Sequence, residues 1–296
     1  MDSSPEAFGI ARIELRGRPL LAALRGGGLS PLPALLGDRA PAGFEEALAD
    51  WDALVDAVAD ALARPVAAPL KADAATFLPP AVDRPAVWCA GANYHDHVAE
   101  MGAEALPDRA FHFLSPPTVL SGHGRQVTAP RGVERLDWEA ELAVVIGRTA
   151  RHVGRDGALD HVAGYTVAND MSVRDPERMR HPFFGIDWTS SKNADGLLPL
   201  GPAVVPARFV GDPGSLRLRL DVNGVRRQDA DTSLMIVDTA SQIAALSSLV
   251  TLHPGDLVIT GTPAGTAAAH GDAYLRPGDT VTAAITGLGS LTSVIG

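Results

Sequence analysis

Three acidic residues form the most chemically suggestive pattern in the sequence. Glu139 and Glu141 stand two positions apart beside the apolar run 142–146, whose composition is typical of a β-strand. Alternate strand residues point to the same face, so the two carboxylates should lie side by side. Ionised neighbours repel each other unless a cation lies between them or one is protonated. Asp170, from a second segment, would complete an oxygen site for a hard divalent cation such as Mg²⁺ or Mn²⁺, whereas a solvated strand face is the alternative.

A possible proton-transfer pair lies in the segment 91–100. His97 and Glu100 are three residues apart, a spacing at which two side chains meet on one helical turn. A carboxylate bound to one imidazole nitrogen would orient the ring and leave the other nitrogen to take a proton from water. His95 is equally available by composition, and a surface helix start with incidental polar residues is the alternative.

Three further polar segments have a possible chemical role. Arg174 could bind a carboxylate bidentately, or it could form a local ion pair with Asp175. Lys192 could neutralise an anionic substrate, although its residue type alone favours a surface lysine. The loop 260–266 has glycines, hydroxyls and amides that could bind an oxyanion. It lacks the lysine of a phosphate-binding P-loop, which excludes that mode of nucleotide binding.

Composition predicts an ordinary soluble enzyme. The chain has 296 residues, of which 46% are hydrophobic and 20% charged, and its formal net charge is −10. No basic cluster occurs, so nucleic-acid binding is not expected. The single cysteine, Cys89, lies in an apolar run and is predicted to be buried and unreactive. Without a disulfide, a signal pattern or an apolar run of about 18 residues, a cytoplasmic location and no membrane association are expected.

The pattern of apolar residues divides the chain near residue 70. Residues 8–24 read as short strands around a turn, and 44–63 have the spacing of one amphipathic helix. A linker is predicted over 64–69 because its prolines break the helix. We therefore expect a small N-terminal α/β domain over 1–70 and a larger domain over 71–296. In the latter, β-branched runs predominate, Asn223-Gly224 marks a hairpin and 235–249 is the main helix, so the chain is α+β and β-rich.

Taken in order, six blocks of sequence resemble the fumarylacetoacetate hydrolase family over about residues 80–296. The N-terminal 70 residues resemble only the variable region found in bacterial members. The matching blocks include Gly91-Ala92-Asn93-Tyr94 with His97 and Glu100, Asp137-Trp138-Glu139-Ala140-Glu141, Ala168-Asn169-Asp170 with Arg174, Lys192 with Asp195, Val222-Asn223-Gly224 with Gln228, and Thr260-Gly261-Thr262-Pro263-Ala264-Gly265.

The resemblance implies a mixed, strongly curved β-roll that forms a homodimer. It also implies roles for individual residues. Glu139, Glu141 and Asp170 would bind Mg²⁺ or Mn²⁺, with Ca²⁺ as a further option. His97 and Glu100 would form a catalytic dyad that activates water, and Lys192 would stabilise negative charge. The residues that would contact substrate are Tyr94, Ser115, Arg174 and Thr262.

The implied reaction is hydrolysis of a C–C bond in an acylpyruvate or related 1,3-diketo acid, through an enolate that the metal stabilises as a Lewis acid. The same enolate chemistry would also serve an isomerase, hydratase or decarboxylase that acts on a 2-oxo acid, such as a hydroxymuconate-type diacid or oxaloacetate. A further alternative is a metal-binding family member without catalytic activity. Family members often have lysine where this chain has Ser115. We therefore expect weaker recognition of a second anionic group, for which His112 or His123 could compensate.

Overall fold

The computed structural model describes residues 7–65, 68–102, 105–106, 109 and 111–296. The linker predicted over 64–69 includes Val66 and Ala67, which lie outside the described residues. In the described ranges, no helix combines the length and the apolar character needed to span a membrane.

The described residues form 21 strands and eight α-helices. The helices are α1 Leu32–Leu36, α2 Phe44–Ala49, α3 Trp51–Leu62, α4 His95–Glu100, α5 Arg155–Ala158, α6 Pro176–Met179, α7 Trp188–Lys192 and α8 Thr239–Leu249. The strands are β1 Gly9–Leu15, β2 Arg18–Arg25, β3 Gly28–Pro31, β4 Leu70–Lys71, β5 Thr76–Leu78, β6 Val87–Ala90, β7 His112–Ser115, β8 Leu120–Gly122, β9 Gln126–Val127, β10 Leu136–Asp137, β11 Ala140–Ile146, β12 Val162–Asn169, β13 Ser172–Val173, β14 Arg180–His181, β15 Gly185–Ile186, β16 Leu198–Pro206, β17 Arg217–Val222, β18 Val225–Asp231, β19 Leu257–Ile259, β20 Thr280–Ile285 and β21 Gly289–Ile295.

A mixed sheet of 12 strands forms the centre of the molecule, and its main path runs β4-β3-β2-β1-β16-β12-β11-β19-β6-β7. The strands β11, β12 and β16 are entirely or almost entirely buried, because other parts of the protein cover both faces of the sheet. Their long apolar runs therefore show little alternation. This burial places the acidic ends of β11 and β12 inside the protein.

A second sheet of five strands, in the order β18-β17-β20-β21-β9, packs against one face of the large sheet. The largest apolar cluster joins the two sheets and includes Leu142 and Val144 on one side and Leu220 and Val281 on the other. The predicted hairpin is confirmed: Asn223 and Gly224 both have positive φ and connect β17 to β18. The fold is therefore β-rich α+β, as the sequence predicts.

The N-terminal helices cover the opposite face of the large sheet. The sequence predicts one helix over 44–63, but the structure has two, α2 and α3, because Asp50 between them has non-helical backbone angles, with φ −145° and ψ 66°. The helix predicted over 235–249 begins later, at Thr239, where the Asp238 carboxylate caps the Ser241 amide. Since β1 pairs with β16, the N-terminal strands continue the central sheet, and the domain division at 70/71 stays a prediction.

Candidate metal centre and active-site cavity

Strand register brings the three predicted acids together. In the antiparallel pair β11–β12, Ala140 lies opposite Asn169, so the next residues outward, Glu139 and Asp170, meet beyond the strand ends. The Asp170 amide donates to the Glu139 carbonyl at 2.8 Å, and the Asn169 side chain accepts from the Glu139 amide at 2.9 Å. Glu141 follows two positions later on β11. One oxygen from each of Glu139, Glu141 and Asp170 lies within 4.8 Å of the others, and all three side chains are buried.

Two cations contact this carboxylate cluster. Lys192, at the end of α7, is only 4% exposed, and its Nζ donates to Glu139 Oε2 at 2.6 Å and to Asp170 Oδ2 at 2.7 Å. The expectation of a surface lysine from residue type alone is therefore wrong. Arg174 donates to the Asp137 carboxylate at 3.1 Å and to Glu139. It forms these pairs in place of the local ion pair with Asp175 that the sequence left open.

The neighbouring cations stabilise the ionised forms of the three carboxylates to different extents. Burial would raise the pKa of Glu139, but Lys192 and Arg174 outweigh it and lower this pKa to about 2. Burial, reinforced by the charges of Asp170 and Glu139, raises the pKa of Glu141 well above its ordinary value. Burial opposes the charge on Lys192, but Asp170 and Glu139 more than offset it and raise the lysine pKa. Glu141 is thus the acid whose ionised form most needs another cation.

The donor set of this cluster fits a divalent metal ion. Three carboxylates supply only oxygen ligands, which Mg²⁺ and Mn²⁺ favour. Among the described residues, no salt bridge reaches Glu141, whose carboxylate accepts from the Gly261 amide instead. A cation at this position would therefore offset both the burial and the repulsion from Asp170 and Glu139 that raise the Glu141 pKa. Glu139, Glu141 and Asp170 are the residues that would hold it.

His97 and Glu100 form the contact that their spacing predicts. Both lie on α4, and His97 Nδ1 is 3.0 Å from Glu100 Oε2. The contact with Glu100 leaves Nε2 available to a ligand in the adjoining cavity, which His97 lines. Burial would raise the pKa of Glu100, but hydrogen bonds from His97, the Gly265 amide and the Thr266 hydroxyl lower it overall. The carboxylate is therefore held ionised, which suits support of an imidazolium.

The loop 260–267, which follows β19, links the dyad to the carboxylate cluster. Its amides do bind oxyanions, as the sequence suggests, but these are the protein's own carboxylates. The Gly265 amide donates to Glu100 Oε1 at 2.9 Å, and the Ala267 amide donates to Asp137 Oδ1 at 2.9 Å. Gly265 has a φ of +100°, and a Cβ atom there would lie 2.1 Å from the Arg227 carbonyl oxygen. Glycine is therefore required for this close approach.

A cavity of about 370 Å³ adjoins both groups. This volume falls in the range of small-molecule sites, roughly 300–1,000 Å³. Five of the predicted site residues line it: His97, Glu139, Arg174, Lys192 and Thr262. The lining also includes the apolar side chains of Met101, Phe113, Met179, Ile186 and Trp188. The Thr262 hydroxyl already donates to the Ala140 carbonyl at 2.9 Å and accepts from Gln228 at 2.9 Å.

Two residues that the resemblance assigns to substrate binding lie outside this lining. Tyr94 is fully buried, and its hydroxyl has no hydrogen-bond partner among the described residues. Ser115 is buried, and its hydroxyl donates to Asn193 Oδ1 at 2.6 Å and lies 3.7 Å from the buried Cys89 sulfur. His112 contacts Gln242, and His123 packs against Phe77; neither belongs to the lining residues that the structure describes. Direct substrate contact by these residues stays a prediction.

The structure confirms the prediction that Cys89 is buried. The side chain is fully buried, and burial raises the pKa of its thiol well above the ordinary value. A protonated, inaccessible thiol is a poor nucleophile.

Sequence reasoning missed three charged residues that line the cavity. Asp137 fixes both Arg174 and the 260–267 loop, and its position two residues before Glu139 was the signal that could have found it. Arg135 and Arg180 also line the cavity. Their sequence context offers no comparable signal, because only the folded chain brings them to this site.

Comparisons with known proteins agree with this arrangement. Residues 86–295 match the family model described as fumarylacetoacetate (FAA) hydrolase C-terminal. The chain is 40% identical over 202 residues to 2,4-didehydro-3-deoxy-L-rhamnonate hydrolase of Sphingomonas sp. (strain SKA58), covering 68% of this chain and 69% of that protein. It is 37% identical over 211 residues to the oxaloacetate tautomerase YisK of Bacillus subtilis (strain 168), covering 70% and 68%.

A solved structure supports the fold over nearly the whole chain. Maleylpyruvate hydrolase from Sphingobium sp. SYK-6, in complex with manganese(II) ion and pyruvate, has a TM-score of 0.78 and 28% sequence identity, covering 97% of this chain and 98% of that chain. The family match spans well over half of the sequence and includes every acid and cation of the cluster. The chain belongs to the fumarylacetoacetate hydrolase family.

Proposed function

We propose that this protein is a Mg²⁺- or Mn²⁺-dependent hydrolase that cleaves a C–C bond in an acylpyruvate or related 1,3-diketo acid. One observation carries the proposal: a hydrogen-bonded His97–Glu100 pair and the carboxylate cluster with Lys192 adjoin the same cavity. The pair can activate water, and the cluster can hold a cation. The similarity to a hydrolase and to a manganese-bound maleylpyruvate hydrolase supports this reading.

The bound metal would supply a Lewis acid for the carboxylate and keto oxygens of a 2-oxo acid. His97 Nε2 would take a proton from water, while Glu100 on Nδ1 stabilises the resulting imidazolium. The hydroxide attacks the distal carbonyl carbon and the C–C bond breaks. The electron pair leaves with the pyruvate fragment, and the proton on His97 returns to that fragment's carbon. Lys192 would offset negative charge as the bond breaks.

The chain's own contacts keep these groups in place. Asp137 binds Arg174, which in turn binds Glu139, so Glu139 cannot swing away from the cluster. The Gly265 amide and Thr266 hydroxyl hold Glu100, which orients the His97 ring. Apolar side chains around the cavity reduce access of bulk water and strengthen the charge interactions inside it.

A 2-oxo acid tautomerase is the second candidate, favoured by the 37% identity to an oxaloacetate tautomerase. The same dyad could move a proton between carbon and oxygen without attack by water. The two reactions differ in whether an oxygen atom from water enters the product. Hydrolysis transfers a solvent oxygen into the released carboxylate, whereas tautomerisation leaves the carbon skeleton intact.

The test is a screen of the purified protein with Mn²⁺ or Mg²⁺ against acylpyruvates and oxaloacetate in ¹⁸O-labelled water, read by product mass. Hydrolysis should yield labelled carboxylate, and His97→Ala should lower its rate about 10²–10⁴-fold. His253→Ala, an exposed histidine outside the cavity lining, is the matched control. Intact oxaloacetate that equilibrates between keto and enol forms, without acylpyruvate cleavage, would favour the tautomerase. The homodimer and the cytoplasmic location remain proposals alongside the reaction.

A further inference from the structure

A buried glutamine from the second sheet reaches the candidate active site. Gln228 lies on β18, its side chain is buried, and both polar atoms of its amide find partners beside the carboxylate cluster. Its Oε1 accepts from the Ala140 amide at 2.9 Å. Its Nε2 donates to the Thr262 hydroxyl and to the Pro263 carbonyl, each at 2.9 Å. These contacts are separate from the pairing of β18 with β17, so they connect the second sheet to the site.

The partners of Gln228 allow only one orientation of its amide. A backbone N–H such as that of Ala140 can only donate and the Pro263 carbonyl can only accept, so Oε1 faces the first and Nε2 the second. Nε2 also donates to the Thr262 oxygen. The single proton of that hydroxyl then goes to the Ala140 carbonyl, 2.9 Å away. The Thr262 hydroxyl can therefore accept a further hydrogen bond but has no proton left to donate to a ligand.

These contacts fix the backbone between two of the proposed metal ligands. Ala140 separates the two glutamates of the carboxylate cluster, and the Gln228–Thr262 pair holds both its amide and its carbonyl. The neighbouring strand β19 pairs only with residues 143–145 of β11. The two side chains thus take the place of ladder hydrogen bonds at Ala140. Because side-chain directions follow the backbone of a strand, this pair sets how the two carboxylates point.

The same glutamine holds the loop 260–267. The Gly261 amide of this loop binds the carboxylate cluster, and its Gly265 amide binds Glu100. The two residues to which Gln228 donates lie between these glycines. A Cβ atom on Gly265 would lie 3.2 Å from Gln228 Cγ, so the glutamine also packs against the loop. Removal of the Gln228 amide would release the loop from the second sheet between its contacts to the cluster and to the dyad.

We infer that Gln228 is a positioning residue for the metal centre and for Thr262. It holds the backbone between the two glutamates against the loop, and it leaves the Thr262 hydroxyl able to accept but not to donate a hydrogen bond. The inference rests on the proposed function in taking the carboxylate cluster as the metal site. It also refines the substrate contact implied for Thr262, because a hydroxyl without a free proton cannot donate to a carboxylate or keto oxygen. Its oxygen suits a group that donates, such as water or an enol hydroxyl.

Calorimetric Mn²⁺ binding tests the positioning role without depending on any reaction. Gln228→Met removes the amide at similar side-chain length and should lower Mn²⁺ affinity about tenfold, the lower end of the range for groups that support metal ligands. Thr262→Val breaks the same link from the loop side and should also weaken binding, whereas Thr262→Ser keeps the hydroxyl and should bind Mn²⁺ like wild type. The double variant Gln228→Met/Thr262→Val should lose less than the product of the two single losses, because both substitutions break one connected set of hydrogen bonds.

Thr232→Val is the matched control. The Thr232 hydroxyl is likewise buried, donates to the Pro213 carbonyl and accepts from the Leu216 amide, and it lies outside the cavity lining. This variant should be less stable to denaturant but keep its Mn²⁺ affinity. Wild-type Mn²⁺ affinity in Gln228→Met, or single losses that multiply in the double variant, would overturn the positioning role and leave the proposed function in place. If Gln228→Met does not fold, Thr262→Val against Thr262→Ser tests the same link. If wild-type protein binds no Mn²⁺, the proposed function fails and the inference fails with it.

Oxalate binding at saturating Mn²⁺ tests the direction of the Thr262 hydroxyl. The oxalate dianion has only acceptor oxygens, so a hydroxyl without a free proton contributes no hydrogen bond to it. Thr262→Val should therefore change oxalate affinity by no more than Gln228→Met does. A loss of about tenfold or more that is confined to Thr262→Val would show that the hydroxyl donates to the ligand, and would overturn the inferred orientation.

Discussion

Replacement of Lys192 by methionine tests the electrostatic account of the cluster most directly. Methionine keeps an unbranched side chain of similar volume but removes the ammonium group that contacts Glu139 Oε2 at 2.6 Å and Asp170 Oδ2 at 2.7 Å. Three buried carboxylates would then remain within 4.8 Å of one another. Arg174 would be the cation that still contacts the cluster, through Glu139.

The expected cost in metal-free protein is about 3–5 kcal/mol, the usual range when one partner of a buried ion pair is removed. Two observations bear on where in this range the value falls. The lysine bridges two carboxylates, which raises the cost. Protonation of Glu141, whose pKa burial and its acidic neighbours already raise, limits the cost because one negative charge can be removed.

The assay is denaturant unfolding of wild type, Lys192→Met and the exposed-site control Lys71→Met, each in EDTA and in Mn²⁺. Mn²⁺ should restore more stability to Lys192→Met than to wild type, because the metal supplies positive charge that the lysine no longer provides. Binding at 100 times the dissociation constant contributes about 2.7 kcal/mol. A loss below about 1 kcal/mol in EDTA, or equal stabilisation of the two proteins by Mn²⁺, would refute the reasoning.

Two further predictions concern the other acids. Glu141→Ala should lower Mn²⁺ affinity at least about tenfold while the protein stays folded, because it removes one of three oxygen ligands; unchanged calorimetric binding would place Glu141 outside the metal site. Glu100 has a folded-state pKa below its ordinary value of 4.5, so its contribution to stability is complete above that pH and disappears as pH falls through the folded pKa. The difference in unfolding free energy between wild type and Glu100→Gln should therefore be constant near neutral pH and shrink below pH 4.5, and a difference that grows on acidification would contradict the direction of this shift.

Local sequence patterns and the family resemblance identified most of the residues that lie together at the candidate site. Spacing along one strand placed Glu139 and Glu141 on one side, and helical spacing joined His97 to Glu100, since both relations depend on backbone geometry over a few residues. The helix over 44–63 was predicted as continuous because its apolar spacing does not reveal the non-helical backbone at Asp50.

Relations between distant segments were harder to foresee from sequence. Residue type suggested that Lys192 lies at the surface, yet a buried lysine is stable here because it pairs with two carboxylates just beyond the ends of β11 and β12. Ser115 stands where related proteins often have lysine, but its burial beside Asn193 depends on the packing of β7 against α7. Arg135 and Arg180 come from separate segments, and only the tertiary fold places both along one cavity.

The loop 260–267 connects the carboxylate cluster and the His97–Glu100 pair into one unit. Its Gly261 amide binds Glu141 in the cluster, and four residues later its Gly265 amide binds Glu100 in the dyad. A shift of this loop would therefore disturb both groups, whereas a change in either side chain alone leaves the loop tied to the other. The close approach of Gly261 to Asn93 and of Gly265 to the Arg227 carbonyl leaves little space for such shifts. In the proposed hydrolysis, this loop would fix the spacing between the cation and the water-activating base, so that a 2-oxo acid is held at one end while water attacks at the other.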